Sequence, residues 1–151
     1  RQMCIRDSYI HKATDVLGQQ IKTTNATINN NVSPDVYIDA NPAYMESIML
    51  NFLSNTIKYR HTDRHPVVEL SAAVVGNETV LRIKDNGLGI DLEKNRHNLY
   101  GMYKTFHKNI DATGIGLFIT KYQVDSMGGH IGVESEVGKG TEFRVYFRNS
   151  R

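Results

Sequence analysis

The sequence predicts a mixed α/β domain, and three observations carry that expectation. The stretches "VVELSAAVV", "TVLRIKD", "HIGVESEV" and "TEFRVYF" are short, rich in β-branched and aromatic residues, and bounded by turn formers, which is the pattern of strands. Residues 9–29, 42–60 and 115–127 instead repeat their apolar positions at helical spacing. The chain has 151 residues, 40% of them apolar and 23% charged, which suits one domain with a real core.

Taken in order, the opening "RQMCIRDS" has neither a period nor turn logic. It resembles the translated reading frame of a sequencing-library adaptor. Residues 1–8 are therefore expected to be an adaptor-derived artefact or a disordered tail, with the natural chain starting near Tyr9 as an N-terminally truncated piece of something longer. From residue 9 to about 29, Ile10, Ala13, Leu17, Ile21 and Ile28 suit an amphipathic helix. Residues 30–34 are a polar break, and "DVYID" is a short strand. Asn41 is a plausible N-cap and Pro42 fits the first helical position, opening a helix that runs to about residue 60. "HTDRHP" reads as a loop. The next two strands are joined by a tight turn at Gly76 and Asn77. A helix is expected near residues 92–98, then an irregular stretch from 101 to 113. The helix "IGLFITKYQVDSM" is stopped by Gly128 and Gly129, and the last two strands turn at "GKG".

Composition excludes several function classes. A net charge of +2 is too small to argue for a nucleic-acid partner. No apolar run approaches the roughly 20 residues that span a bilayer, and the start has no apolar core of a signal peptide. The single cysteine, Cys4, gives no disulfide framework and by itself suggests a reducing compartment.

The helix of residues 42–60 poses a chemical question. Asn51, Asn55 and Lys58 fall on one face at spacings of four and three, although asparagine is a mediocre helix former. Apolar Ile48, Met49, Phe52, Leu53 and Ile57 flank them. Glycines cluster in three loops: Gly87 with Gly89, Gly114 with Gly116, and Gly138 with Gly140. Any one cluster suits a plain turn. Together they suit backbone that approaches a ligand, and the second cluster precedes a helix whose N-terminal amides favour phosphate. Asp85 ends a strand directly before the first glycines, where a buried carboxylate can accept a hydrogen bond from an exocyclic amine. A polyphosphate also needs a hard cation, and an asparagine carbonyl oxygen is a suitable ligand for Mg²⁺.

These motifs carry a resemblance. Asn51-x-x-x-Asn55-x-x-Lys58-Tyr59 resembles the N-box of the ATP-binding catalytic domain of sensor histidine kinases. "DNGLGID", "TGIGL" and "GKGTEF" are similar to its glycine boxes, in the family's order. The resemblance covers the chain from Tyr9 to Phe147. It implies the Bergerat fold: a two-layer α/β (α+β) sandwich of about three helices on a mixed, mainly antiparallel sheet. It implies ATP and Mg²⁺ as ligands. Asp85 would then recognise the adenine amine, with Thr141 assisting, and Gly87, Gly89 and Ile90 would form the loop over the base. Asn55 and Asn51 would hold Mg²⁺ and phosphate oxygens, Lys58 would contact phosphate, and Tyr59 would line the cleft. Gly114, Ile115, Gly116 and Leu117 would open the helix facing the phosphates. Tyr100, Tyr103 and Phe106 would belong to a lid over ATP.

The resemblance further implies a protein-histidine kinase catalytic domain of a two-component system. It would lack its own phosphoacceptor histidine and be partnered by the dimerisation and phosphotransfer domain of its parent, with a response regulator downstream. Such a domain is cytoplasmic, even where the parent is an inner-membrane sensor. Two departures from the pattern stand out: Ala112, where a further glycine often opens the second box, and Thr56, where alanine is common. Threonine there is expected to back-bond to a carbonyl one turn earlier. Gyrase-like ATPases carry a glutamate at position 51 as general base. Asn51 cannot take that proton, which favours phosphoryl transfer over hydrolysis. The alternatives are a non-catalytic nucleotide-binding module, a Bergerat-fold ATPase, and a serine-kinase anti-sigma factor. Among the histidines, His11 is expected to face solvent, His61 and His65 to lie in a hydrated loop, and His130 to be structural. His107 is divided between phosphate and surface. Arg60, Lys104 and Lys121 read as surface charge.

Overall fold

A long helix, α3 (Pro42–Lys58), organises the molecule, and local chemistry sets where it begins. Asn41 Oδ1 accepts the N–H of Tyr44 at 3.1 Å, satisfying one of the first-turn donors that a helix leaves open. Pro42 follows, where its missing N–H costs nothing. One face of α3 buries Met45, Ile48, Met49, Phe52, Leu53 and Ile57. Each such side chain contributes about 1.5–3 kcal/mol relative to exposure, so the buried stripe, more than helix propensity, holds α3 in place.

The computed structural model describes residues 2–96, 99–100 and 115–149. Strands β1 (Gln2–Cys4), β2 (Thr27–Asn30), β3 (Tyr37–Asp39), β4 (Val67–Val75), β5 (Glu78–Asp85), β6 (His130–Glu136) and β7 (Gly140–Arg148) accompany helices α1 (His11–Val16), α2 (Gly18–Thr24), α4 (Leu92–Asn95) and α5 (Ile115–Ser126). The main sheet runs β2-β4-β5-β7-β6. Only β2 and β4 are parallel; the other neighbours are antiparallel. On one sheet face Val68, Leu70, Leu81, Ile83, Phe143 and Val145 are buried beneath the helical layer. The alternating residues Glu69, Arg82 and Lys84 face water. Phe52 of α3 meets Phe143 of β7 with ring centroids 5.0 Å apart, joining the two layers. The expected two-layer sandwich on a mixed, mainly antiparallel sheet is the architecture found. Among the described residues no helix is long and apolar enough to cross a membrane.

Three expectations change. The helix predicted over 9–29 is a π-helical turn (Arg6–Ile10) running into α1, a bend at Leu17, and α2. It ends at Asn25, whose φ of 60° is left-handed, a conformation asparagine tolerates. Thr27 and Ile28 then enter β2, with Ile28 opposite Val68. Ile28 fitted the helical period by coincidence, and its β-branched neighbourhood suits the sheet. The first residues do not form a loose tail: β1 pairs antiparallel with β3, Met3 opposite Ile38, and Ile5 is fully buried. Apolar Met3, Cys4 and Ile5 find a surface to cover there. Finally, α4 spans Leu92–Asn95, with Asp91 Oδ1 accepting the N–H of Lys94 at 3.3 Å; the α-helix has ended by Arg96, and residues 97 and 98 of the expected helix lie outside the described residues.

Candidate functional site

The helical face that carries Asn55, Thr56 and Tyr59 stands over the ends of β5 and β7, and between them lies a cleft. Its walls are Phe52, Asn55, Thr56, Tyr59, Ile83, Asp85, Leu88, Gly89, Ile90, Leu117, Thr141 and Phe143. The cleft has an apolar body with a few convergent polar groups, as small-molecule sites do.

Asp85 is the chemical focus. It is the last residue of β5, in register with Thr141 of β7. Its Oδ1 accepts the N–H of Gly87 at 2.9 Å and of Thr141 at 3.3 Å. Burial pushes its carboxyl up to about 6, while those two amides pull the other way. Oδ2 takes no hydrogen bond among the described residues. A carboxylate that is ionised at neutral pH, largely out of water and half satisfied is an acceptor prepared for a donor on a ligand.

The loop after Asp85 needs its glycines. At Gly89 φ is +75°, and a Cβ would collide with the carbonyl of Glu136. A Cβ at Gly87 would stand 2.7 Å from the Tyr59 carbonyl oxygen. That same oxygen accepts the N–H of Leu88 at 3.0 Å, fastening the loop to the end of α3. The Ser135 hydroxyl accepts the Ile90 N–H at 2.7 Å and donates to the Gly140 carbonyl at 2.8 Å. Thr141 Oγ1 lies 2.8 Å from that hydroxyl. With Ser135 donating to Gly140, the Thr141 hydroxyl donates to Ser135 and keeps its lone pairs for the cleft.

The asparagine stripe divides. Asn55 is half-buried and lines the cleft. Asn51, one turn earlier, donates from Nδ2 to Oγ1 of the fully buried Thr120 at 3.2 Å, tying α3 to α5 and leaving its carbonyl oxygen as the remaining acceptor. Lys58 is exposed on the last turn, beside the cleft lining and not within it. Tyr59 lines the cleft, and burial raises its phenol. Thr56 back-bonds to the Leu53 carbonyl at 2.6 Å, as expected. Ile115 and Gly116 open α5, and Leu117 reaches the cleft. Among the described residues no cluster of three His, Cys, Asp or Glu side chains could hold a metal by itself. A donor set of amide carbonyls fits Mg²⁺ that is shared with phosphate oxygens and water.

Gly114, Tyr103, Lys104, Phe106, His107 and Ala112 lie outside the described residues. Tyr100 is half-buried, with the Lys121 ammonium 5.8 Å from its ring centroid, and Lys121 also pairs with Asp125 at 2.6 Å. Arg60 donates to the Ile57 carbonyl at 2.9 Å. His11 and His65 are exposed, His61 is half-buried, and His130 stacks on Tyr146 at 4.2 Å. Sequence reasoning passed over Ser135 and Asn86. The Asn86 side chain accepts the Val67 N–H at 2.9 Å and donates to the His65 carbonyl at 3.0 Å, bracing the loop from below. Its place directly after Asp85 was the available signal for Asn86; Ser135 had none.

The sequence profile of the histidine kinase-, DNA gyrase B- and HSP90-like ATPases matches residues 40–151, and the chain belongs to that family. Histidine kinases are among its relatives. It is 34% identical over 123 residues to the circadian input-output histidine kinase CikA of Synechococcus elongatus, a match that covers 79% of this chain and 16% of that one. It is 33% identical over 97 residues to the methanogenesis regulatory histidine kinase FilI of Methanothrix harundinacea, covering 64% of this chain and 11% of that one. The chain therefore matches only a small part of these longer proteins. In fold it superposes on the catalytic domain of histidine kinase ThkA with a TM-score of 0.84 at 16% identity, covering 100% of this chain and 98% of that one. The family expected from the N-box and glycine boxes is the family found.

Proposed function

We propose that this domain binds Mg-ATP and passes the γ-phosphate to a histidine on a separate helical dimerisation and phosphotransfer domain of its parent kinase, with a response regulator as the next acceptor. Asp85 takes the adenine amine on Oδ2, Thr141 assists beside it, and the Gly87–Leu88–Gly89–Ile90 backbone covers the base. Asn55, with the Asn51 carbonyl, contributes oxygen ligands to Mg²⁺. Lys58 meets phosphate, and the first backbone amides of α5, at Ile115, Gly116 and Leu117, face it, with Gly114 assigned to the same phosphate contact. Mg²⁺ would neutralise charge on the phosphate oxygens.

The observation that carries this reading is the residue at position 51. The Asn51 amide already donates to Thr120 and has no basic atom, so it cannot draw a proton from water. A domain with this stripe holds ATP in place without activating a hydrolytic water. Positioning and electrostatics supply most of the catalysis in phosphoryl transfer, so a histidine delivered in line is the fitting acceptor. ATP and response regulators place the reaction on the cytoplasmic side of the cell.

Calorimetry with ATP, in Mg²⁺ and in EDTA, beside a steady-state phosphate-release assay on the same protein, tests the reading. Binding that strengthens with Mg²⁺ and turnover near background support it. Failure to bind ATP, or turnover at ordinary enzyme rates of about 1 per second or more, refutes it. Asn51→Glu is the companion variant: it restores the carboxylate used by the hydrolytic relatives, and a rise in phosphate release would identify position 51 as the reason wild type is slow.

A further inference from the structure

Arg64 sits in the loop between α3 and β4, and its guanidinium reaches across to two other turns. Nε donates to the Asn86 carbonyl at 2.7 Å, while Nη2 donates to the Gly87 carbonyl at 3.1 Å and to the Gly138 carbonyl at 2.7 Å. The Lys139 carbonyl lies 3.5 Å from Nη2. Asn86 and Gly87 directly follow Asp85, whereas Gly138 and Lys139 form the β6–β7 turn. The two turns also meet each other, the Gly138 N–H reaching the Leu88 carbonyl at 2.7 Å.

We propose that Arg64 is a positioning residue for nucleobase selection, a clamp that fixes the loop after Asp85 against the β6–β7 turn. The inference rests on the reading that Asp85 receives the adenine amine. Carbonyl oxygens from two turns converge on one place, where their dipoles repel. A planar cation with donors on two edges answers them together, and a lysine ammonium cannot reproduce that fork. The Asn86–Gly87 peptide is held at both ends: its carbonyl, that of Asn86, by Arg64 Nε, and its N–H on Asp85 Oδ1. The clamp thus sets the orientation of the carboxylate and keeps Oδ2 for the ligand. Arg64 touches no substrate atom; it acts through the peptide that aims Asp85. Asn86 braces the same loop independently through Val67 and His65, so the fold is expected to survive loss of the clamp.

The test compares ATP with inosine triphosphate, in which an oxygen replaces the exocyclic amine, by calorimetry on wild type, Arg64→Ala and Arg64→Lys, with a melting curve for each. Wild type is expected to prefer ATP by about tenfold or more, the value of a hydrogen bond to a charged group. Arg64→Ala should lose about fivefold to tenfold in ATP affinity and much less for the inosine nucleotide. The preference then shrinks toward one while the melting temperature moves little, and Arg64→Lys falls between. Were Arg64→Ala to unfold, Arg64→Lys alone carries the test through the same ratio. A wild-type ATP preference that is retained in the variants, or equal losses for both nucleotides, overturns the clamp and leaves the site reading standing. No preference in wild type overturns the adenine assignment itself and the clamp with it.

Discussion

Replacing Asp85 by Asn should make the free domain more stable and the nucleotide complex weaker. The carboxyl stands at about 6 in the folded protein against an ordinary 3.8, because burial outweighs the two amides on Oδ1. At 1.36 kcal/mol per pKa unit, ionising it in the folded state costs about 3 kcal/mol as an upper value. The sign follows from which state holds the proton. Below pH 3.8 the group is protonated folded and unfolded, and no penalty exists. As pH rises through 6 the folded domain must release a proton from a buried site that the unfolded chain released earlier, so stability falls. An asparagine never ionises, and its Oδ1 can still accept from Gly87 and Thr141. The Asp85→Asn domain without nucleotide should therefore gain up to about 3 kcal/mol over wild type at pH 8, with the gap closing toward pH 4. Urea unfolding of both proteins followed by circular dichroism across that range reads the gap directly. Its ATP affinity should drop by the value of a charge-assisted hydrogen bond, about 1.5–3 kcal/mol. A gap that does not change with pH, or a variant less stable at pH 8, refutes the burial argument. Unchanged ATP affinity refutes the adenine role.

Asn55→Ala should fold normally and bind ATP equally in Mg²⁺ and in EDTA, since the amide faces the cleft and not the core; calorimetry in the two buffers decides, and a retained Mg²⁺ effect would assign the metal elsewhere. Gly89→Ala forces a Cβ into the Glu136 carbonyl at a left-handed φ, and should cost more than about 1 kcal/mol in urea unfolding as well as most ATP binding; a neutral outcome would mean the loop is not held where the structure places it.

Much of this was readable because the chemistry is local. Asn41 and Pro42 announce the start of α3 within two residues, and Gly89 and Gly140 announce positive-φ backbone that side chains rarely adopt. Thr56 announced its own back-bond. What could not be read depends on distant partners. β2 is a strand because β4, some forty residues on, offers it a parallel edge, and nothing near Ile28 says so. The left-handed Asn25 that separates it from α2 is one of several asparagines in that region, with no local mark of its conformation. Arg64 looks like a solvated loop charge until folding brings to it carbonyls 22 and 74 residues away. Asn51 was readable as a polar helical position, but its bond to Thr120 appears only once α5 lies against α3.

The most direct measurement mixes the domain and γ-labelled Mg-ATP with the phosphoacceptor hairpin of its own parent protein, and follows label on the hairpin beside free phosphate. The account predicts acid-labile label on the hairpin histidine, lost on histidine substitution, with free phosphate accumulating slowly in the domain alone. Brisk phosphate release by the isolated domain with no label on an authentic hairpin would contradict it, and would make this chain an ATPase that happens to carry an asparagine at position 51.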